Sequence, residues 1–298
     1  MKISVVINTL NEAENLPRAI ASVKGIANEI LVCDMESTDG TPEIAKKLGA
    51  KVINHEDVGY VEPARNFAIS KADGDWILIL DADEEITKDL RNEIEKEIKN
   101  PRADYYRIPR KNIIFGKWMK HSRWWPDYNI RFFKKGSVSW SEIIHAVPMT
   151  TGVGAELPDK EELAIVHHHY DSIEQYMERL NRYTTVQAEI KSRGGYEFGY
   201  LDLIRKLANE FLSRFFFGEA YKDGLHGFAV SLLQAFSEVV LYLKIWQKSG
   251  FKEEKIEIVN IKNEVRKVRR DFNHWFADAS FIETGNVMEL IKRKFKIF

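Results

Sequence analysis

The sequence predicts an α/β protein, a mostly parallel sheet flanked by helices and followed by a helical C-terminal region. Two observations carry that expectation. Short apolar runs alternate with amphipathic stretches over the first hundred residues, and the strand-like runs give way to helical patterning beyond Asp171. Strand–helix alternation favours parallel pairing, because each helix returns the chain to the same end of the sheet.

Each element has its own signal. Ile3–Ile7, Ile30–Cys33, Lys51–Asn54 and Trp76–Leu80 are too short for helices, and their Ile and Val suit buried strands. Between them, "NLPRAIASVKG", "TPEIAKKLGA" and "VEPARNFAISKADG" show helical spacing with Gly at or just past the end. Residues from about Tyr105 to His169 are aromatic and β-like, centred on "WWPDYNIRFFKKGSVSWSEIIHAV". Beyond them come "SIEQYMERLNRYTTVQAEIKS" and a long Phe- and Leu-rich stretch ending near Gly250. The expected division is residues 1–170, in halves 1–104 and 105–170, then 171–298.

Composition narrows the classes. Among 298 residues a formal net charge of -1 gives no global basic field, so nucleic acid is not an expected partner. The single cysteine, Cys33, allows no internal disulfide and fits a reducing compartment. The opening "MKISVVINTLNEAEN" has an apolar part only a strand long followed by acids, unlike a secretion signal. No unbroken run of about 18 apolar residues suggests a bilayer span.

In parallel α/β sheets ligands bind beyond the carboxyl ends of the strands. Polar residues follow every run there: Thr9, Asn11 and Glu12; Asp34; His55 and Glu56; Asp81 and Asp83. In "GDWILILDADEEI" an apolar run ends in Asp81, Asp83, Glu84 and Glu85. Carboxylates so crowded repel unless a cation sits among them, and a hard divalent ion with oxygen ligands is the economical choice. In "VCDMESTDGT", Asp39-Gly40 favours a tight turn, with Thr41 as helix N-cap and Pro42 as first helical residue. Asp34, at the strand end, suits a base edge or a ribose hydroxyl. Arg65 and Asn66 start the next helix after Pro63; read alone, Arg65 is a solvated helix residue.

The segments "SVVINTLNEAENL", "VCDMESTDGT", "ARNFAISKADGDWILILDADE" and "DYNIRFF" resemble, in order and spacing, the family 2 inverting glycosyltransferases. The branch typified by lipopolysaccharide-core β-glucosyltransferases is closest. "RIPRKN", "WWPDYNIRFFKKG", "IHAV", "HHHYDSIEQYMERLNRYT" and "YKDGLHGF" carry that likeness over roughly residues 1 to 248. The resemblance implies a GT-A-like, Rossmann-related nucleotide-sugar fold, with 1–104 as donor half and 105–170 as acceptor half.

It also implies roles. Thr9, Asn11, Glu12, Asp34 and Asp39 would cradle the nucleoside, with Arg65 near the diphosphate. Asp81 would face ribose and metal, and Asp83 would bind Mg²⁺ or Mn²⁺ directly. Family spacing to Tyr170 selects His167 as third ligand, with His169 as the alternative; strand alternation puts these two on one face and His168 on the other. Relatives carry His-Glu where this chain has His145-Ala146. Glu142 and Asp127 are therefore equal contenders for the base, with His145 orienting either. Trp124, Trp125 and Trp140 could stack under an acceptor sugar.

The implied activity is metal-dependent, inverting sugar transfer from a nucleoside-diphosphate donor, UDP favoured over GDP, to a hydroxyl of a lipid-linked or cell-envelope glycan. A metal-dependent nucleotidyltransferase and a non-catalytic sugar-nucleotide binder are the alternatives. A nucleotidyltransferase would usually place a Gly-rich basic loop where "NTLNEAEN" stands. "SRFFFGEAYK" and "LIKRKFKIF" mix Phe with cations as membrane-surface segments do, giving expectations of peripheral contact with the inner face of a cell membrane, a cytoplasmic location, and a helical region that could serve a homo-oligomer.

Overall fold

The computed structural model describes residues 1–58, 61–140, 148–288, 291 and 294. They form two compact units. Unit 1 comprises Met1–Ile113 and Trp124–His169; unit 2 comprises Ile114–Arg123 and Tyr170–Phe298. Unit 2 thus takes in a short piece of the stretch that the sequence groups with residues 105–170.

In unit 1 the elements run β1 (Ile3–Thr9), α1 (Leu16–Val23), β2 (Glu29–Asp34), α2 (Thr41–Lys47), β3 (Lys51–Asn54), α3 (Glu62–Lys71), β4 (Trp76–Asp81), β5 (Glu84–Ile86), α4 (Lys88–Lys99) and β6 (Tyr105–Ile114). After β7 (Lys117–Trp118, in unit 2) come β8 (Asp127–Lys134), β9 (Val138–Ser139), β10 (Met149–Thr150), β11 (Gly154–Glu156) and β12 (Ile165–Tyr170). The sheet order is β3-β2-β1-β4-β8-β6-β12-β5. The first four strands are parallel, as expected for strands joined by helices. β8 then pairs antiparallel with β4, β6 with β8, and β12 with β5.

Alternation along the strands makes two cores. Val5 and Ile7 of β1 and Leu78 and Leu80 of β4 face α1 and α4, meeting Leu16, Ile20, Leu90 and Ile94. Val6, Leu31, Cys33, Ile77 and Ile79 face Ala64, Ala68 and Ile69 of α3. Small side chains on α3 allow that helix to lie close on the sheet, bringing its first turn to the carboxyl ends of β1 and β4. Trp76, Tyr106 and Phe132 fill the other core, with Trp76 stacked on Phe132 at 4.6 Å between ring centroids.

Unit 2 continues with α5 (Ile173–Arg193), α6 (Asp202–Leu212), α7 (Gly224–Lys248) and α8 (Ile258–Thr284). Buried Asp223, just before α7, gathers the 114–123 segment: it accepts the Lys120 and His121 backbone N–H groups and contacts the His121 ring at 3.0 Å. Ala220–Lys248 is long and apolar enough, by length and composition, to cross a membrane, and a third of its most apolar window is buried in the fold. The expectation that no segment reaches that level rested on unbroken runs. Single polar residues interrupt this stretch without lowering its mean hydropathy below the range of a span.

Candidate active site

The loops after β1 and β2 are laced together before any ligand is considered. Buried Asp34 accepts hydrogen bonds from Thr9 Oγ1 (3.2 Å) and from the Ser37 N–H (3.0 Å). Asn11, with φ +56°, donates its N–H to Ser37 Oγ and accepts the Thr38 N–H at 2.8 Å. Asp39 accepts from the Ala13 and Thr41 backbone and from Thr41 Oγ1. Thr41 is therefore not the cap expected from sequence. It is the first residue of α2, and the Asp39 carboxylate caps the backbone there while Gly40 takes φ +87°. Thr41 Oγ1 in turn receives the Glu12 N–H, and Glu12 Oε2 receives Asn15 Nδ2. Thr9, Asn11, Glu12, Asp34 and Asp39 thus share one rim, as parts of one network.

The acid cluster after β4 divides in two. The sequence predicts a metal ion as the charge that lets these carboxylates coexist. The structure places three arginines on two of them. Asp81 accepts from Arg65 at 3.0 Å through one oxygen and from Arg131 through the other. Glu84, 0% exposed within β5, accepts from Arg131 (2.6 Å) and Arg110 (3.2 Å), and its second oxygen accepts the Asp81 N–H (2.9 Å). Burial works to raise the Asp81 pKa, but Arg131 and Arg65 overcome it and hold the carboxyl well below the usual range. Arg65, left as a solvated residue by its own sequence context, is packed over the Trp140 ring at 5.2 Å.

Asp83 belongs to a different set. Its Oδ2 lies 3.5 Å from His167 Nε2, and His169 Nδ1 lies 3.2 Å from the same nitrogen. His168 points the other way, to Glu85 at 3.0 Å, so the alternation along β12 is as the sequence predicts. The His167 tautomer follows from its neighbour. Asn112 Nδ2 donates to the Trp124 carbonyl and to Asp127, which makes Asn112 Oδ1 the acceptor facing His167 Nδ1 at 2.6 Å. Nδ1 therefore carries the proton, and in neutral His167 the Nε2 lone pair faces the Asp83 carboxylate.

Asp127 is gripped by Arg110 through Nε (2.9 Å) and a terminal nitrogen (2.6 Å). Burial raises its pKa, while Arg110 and the Asn112 amide overcome that and bring it below the ordinary carboxylate value. Glu142 and His145 lie outside the described residues. Trp140 is mostly core, its ring tilted against Phe133 at 5.9 Å and its backbone pinned to Asn66, while Trp124 sets its ring 5.5 Å from His169. A cavity of about 750 Å³ opens here, lined by Arg65, Asp81, Arg107, Arg110, Tyr128 and Trp140 among others.

Sequence reasoning named Glu84 in the acid cluster but gave it no role, and missed Arg110, Arg131, Asn112 and Asn8. All five stand inside stretches already singled out, but nothing local says which acid meets which arginine across three strands. Asn8 sits in β1 in register with Cys33 and Asp81. Its amide is buried, and neither end has a hydrogen-bond partner among the described residues.

Comparison with known proteins shows the family. Residues 4–153 match the model of glycosyl transferase family 2. A glycosyltransferase of Rickettsia typhi is 34% identical over 259 residues, 83% of this chain and 88% of the relative. The lipopolysaccharide core biosynthesis glycosyltransferase LpsC of Rhizobium meliloti is 25% identical over 85% of this chain and 94% of its own. The structure of S. aureus TarS 1–349 in complex with UDP is similar over 86% of this chain and 95% of that one, at 16% identity and a TM-score of 0.45. The fold is the GT-A-like α/β arrangement with a helical C-terminal region, and the chain belongs to glycosyltransferase family 2.

Proposed function

We propose that the chain is an inverting, metal-dependent hexosyltransferase, moving a sugar from a nucleoside-diphosphate donor, UDP favoured, to a hydroxyl of a lipid-linked or cell-envelope glycan. The observation that carries this reading is the Asp83–His167 pair, set beside the Asp34 and Asp81 strand ends. In neutral His167 the Nε2 lone pair and the Asp83 carboxylate oxygen can both serve as ligands of one cation. Donor atoms spaced by 3.2 and 3.5 Å suit neighbouring ligands of one ion, whose bonds of roughly 2.1 Å put adjacent ligands roughly 3 Å apart. Among the described residues no three acidic, histidine or cysteine side chains already enclose one point. The remaining positions would go to diphosphate oxygens and water.

In this reading Asp83 and His167 hold Mg²⁺ or Mn²⁺, with His169 alongside and Asn112 fixing the His167 ring. The ion, when bound, supplies the positive charge that stabilises the departing diphosphate. Asp34, Thr9, Asn11, Glu12 and Asp39 form the nucleoside rim. Arg65, freed in part from Asp81, meets the diphosphate. An inverting displacement needs one base and no protein nucleophile. Asp127, doubly bound by Arg110, is a weaker proton acceptor than an ordinary aspartate, so the proposal gives that role to Glu142 with His145 near it in sequence. The name and near full-length match of the Rhizobium meliloti relative support an envelope glycan as acceptor, and apolar α7 supports contact with a membrane carrying it.

The test is a thermal-shift screen of UDP- and GDP-sugars with and without Mn²⁺, followed by assay of nucleoside diphosphate release. A donor at a hundred times its Kd stabilises the fold by about 2.7 kcal/mol. Asp83→Ala should abolish the metal-dependent part of the shift, and Glu142→Gln should cut turnover far more than Asp127→Asn. Shifts indifferent to metal in the parent protein, or binding without diphosphate release for every donor, would overturn the reading.

A further inference from the structure

A second concave site lies within unit 2, where the start of α6 meets the first half of α8. The cavity measures about 890 Å³, and its charged lining is Arg205, Glu264, Arg266, Lys267, Arg269 and Arg270. Five cations thus surround one acid. Glu264 is buried and already committed: Arg205 Nε donates to it at 2.9 Å and Lys267 Nζ at 3.1 Å. Arg266, Arg269 and Arg270 are exposed and have no carboxylate partner among the described residues.

That arrangement disfavours the isolated helix. Arg266 stands three and four residues from Arg269 and Arg270, and like charges at those spacings are mutually destabilising. The imbalance extends over the unit. Unit 1 holds 20 Lys and Arg against 27 Asp and Glu, a net of -7, and unit 2 holds 24 against 18, a net of +6, which together give the -1 of the whole chain. Near-neutrality overall therefore conceals one strongly basic unit. Guanidinium groups are suited to phosphate, whose oxygens they bind in pairs. The cavity is also larger than a bare phosphate ion requires.

We propose that the α6–α8 cleft is a binding site for a phosphate ester, either the headgroup of an anionic phospholipid or a soluble organic phosphate. Arg266, Arg269 and Arg270 bind the phosphate oxygens. Arg205 and Lys267, tied to Glu264, form the fixed wall. The site is independent of the Asp83–His167 region and does not rest on the proposed activity.

The full chain should be measured in two arms at constant ionic strength. One arm follows thermal shift with pyrophosphate and with glycerol phosphate; the other follows co-sedimentation with phosphatidylglycerol/phosphatidylcholine vesicles against phosphatidylcholine alone. At roughly 1 kcal/mol for each cation near an anionic surface, Arg266→Gln with Arg270→Gln should weaken binding about thirtyfold. Arg269→Gln alone should weaken it about fivefold. Lys252→Gln with Lys255→Gln removes equal charge from the exposed segment before α8 and should cost less than about threefold. Loss confined to the vesicle arm identifies a lipid headgroup, and loss confined to the soluble arm identifies a free phosphate ester; both support the site. Absence of binding in both arms, or equal loss in the two double variants, overturns it.

Discussion

Glu84→Gln tests the arginine lattice on its own terms. Glu84 is fully buried, and one oxygen meets two guanidinium groups at 2.6 and 3.2 Å while the other accepts a backbone N–H. Each charge pair contributes about 4 kcal/mol of attraction at an effective dielectric near 20, most of it offset by taking the charges out of water. A glutamine keeps the shape but turns one oxygen into a donor. It must then face either an arginine or the Asp81 N–H with the wrong polarity. Removing one partner of a buried pair typically costs 3–5 kcal/mol. For a domain the size of unit 1, each kcal/mol moves Tm by roughly 2–4 °C, so the expected fall is about 10 °C. Calorimetry is the suitable assay, since the two units can melt as separate transitions. Glu93→Gln, whose carboxylate pairs with exposed Lys96 one turn along α4, is the control and should shift stability by less than about 0.5 kcal/mol. If the Glu84 variant melts within 2 °C of the parent, the three arginines do not hold the site in the manner described.

Three further outcomes follow from the same geometry. Asn112→Leu leaves the buried His167 N–H and the Trp124 carbonyl without this partner, so it should cost about 1–3 kcal/mol of stability and, beyond that, weaken Mn²⁺-dependent donor binding 10- to 100-fold, the usual effect of losing a residue that orients a ligand histidine; isothermal titration of donor with and without Mn²⁺, on protein shown by calorimetry to be folded, reads the second effect directly. Asn8→Val should raise stability by about 1 kcal/mol, because an unpartnered buried amide is removed, and should lower donor affinity if that amide meets the ligand; urea titration and donor binding measured together separate the two effects. Cys33 is pushed up to about 12, by burial first and by the Asp34 charge second. A raised folded pKa gives stability that is complete below the unfolded value of about 8.5 and lost as pH rises towards 12. Stability should therefore decline from about pH 8.5 upward in the parent and stay level in Cys33→Ala, and a thiol reagent at pH 8 should label the parent only after unfolding.

The strands and helices of unit 1 were legible because their signals are local. Apolar runs of strand length, separated by amphipathic turns of helix, can adopt little else. The alternation of His167, His168 and His169 was legible for the same reason, since side-chain direction along a strand depends only on parity. What sequence could not show is which charge meets which. Arg131 lies 50 positions from Asp81, Arg110 lies 26 from Glu84, and Asn112 lies 55 from His167. Those meetings are fixed by β8 and β6 joining the sheet antiparallel beside β4, a tertiary choice with no short-range mark. The Asp39 cap was missed by two residues because threonine and aspartate both cap helices well, and only the left-handed Gly40 between them decides which does so here.

The turn that ends β4 separates two carboxylates by a single residue and sends them to different partners. Asp81 continues the strand, on the face that α3 covers, and there Arg65 and Arg131 keep it ionised. Asp83 lies past the turn, where His168 donates its N–H to the Asp83 carbonyl and β12 brings His167 alongside. Because arginines neutralise Asp81 and Glu84, a cation arriving at Asp83 is not needed to hold the acid cluster together. On the proposed reading, that cation would bind and leave with substrate while the fold stays intact. A divalent ion that had to neutralise all these carboxylates would be structural, and chelation would then unfold unit 1. With the charges already balanced, EDTA should lower donor affinity and leave the calorimetric transition of unit 1 within about 1 °C. A collapse of that transition on chelation would mean that the guanidinium groups are not sufficient counter-charges for the cluster.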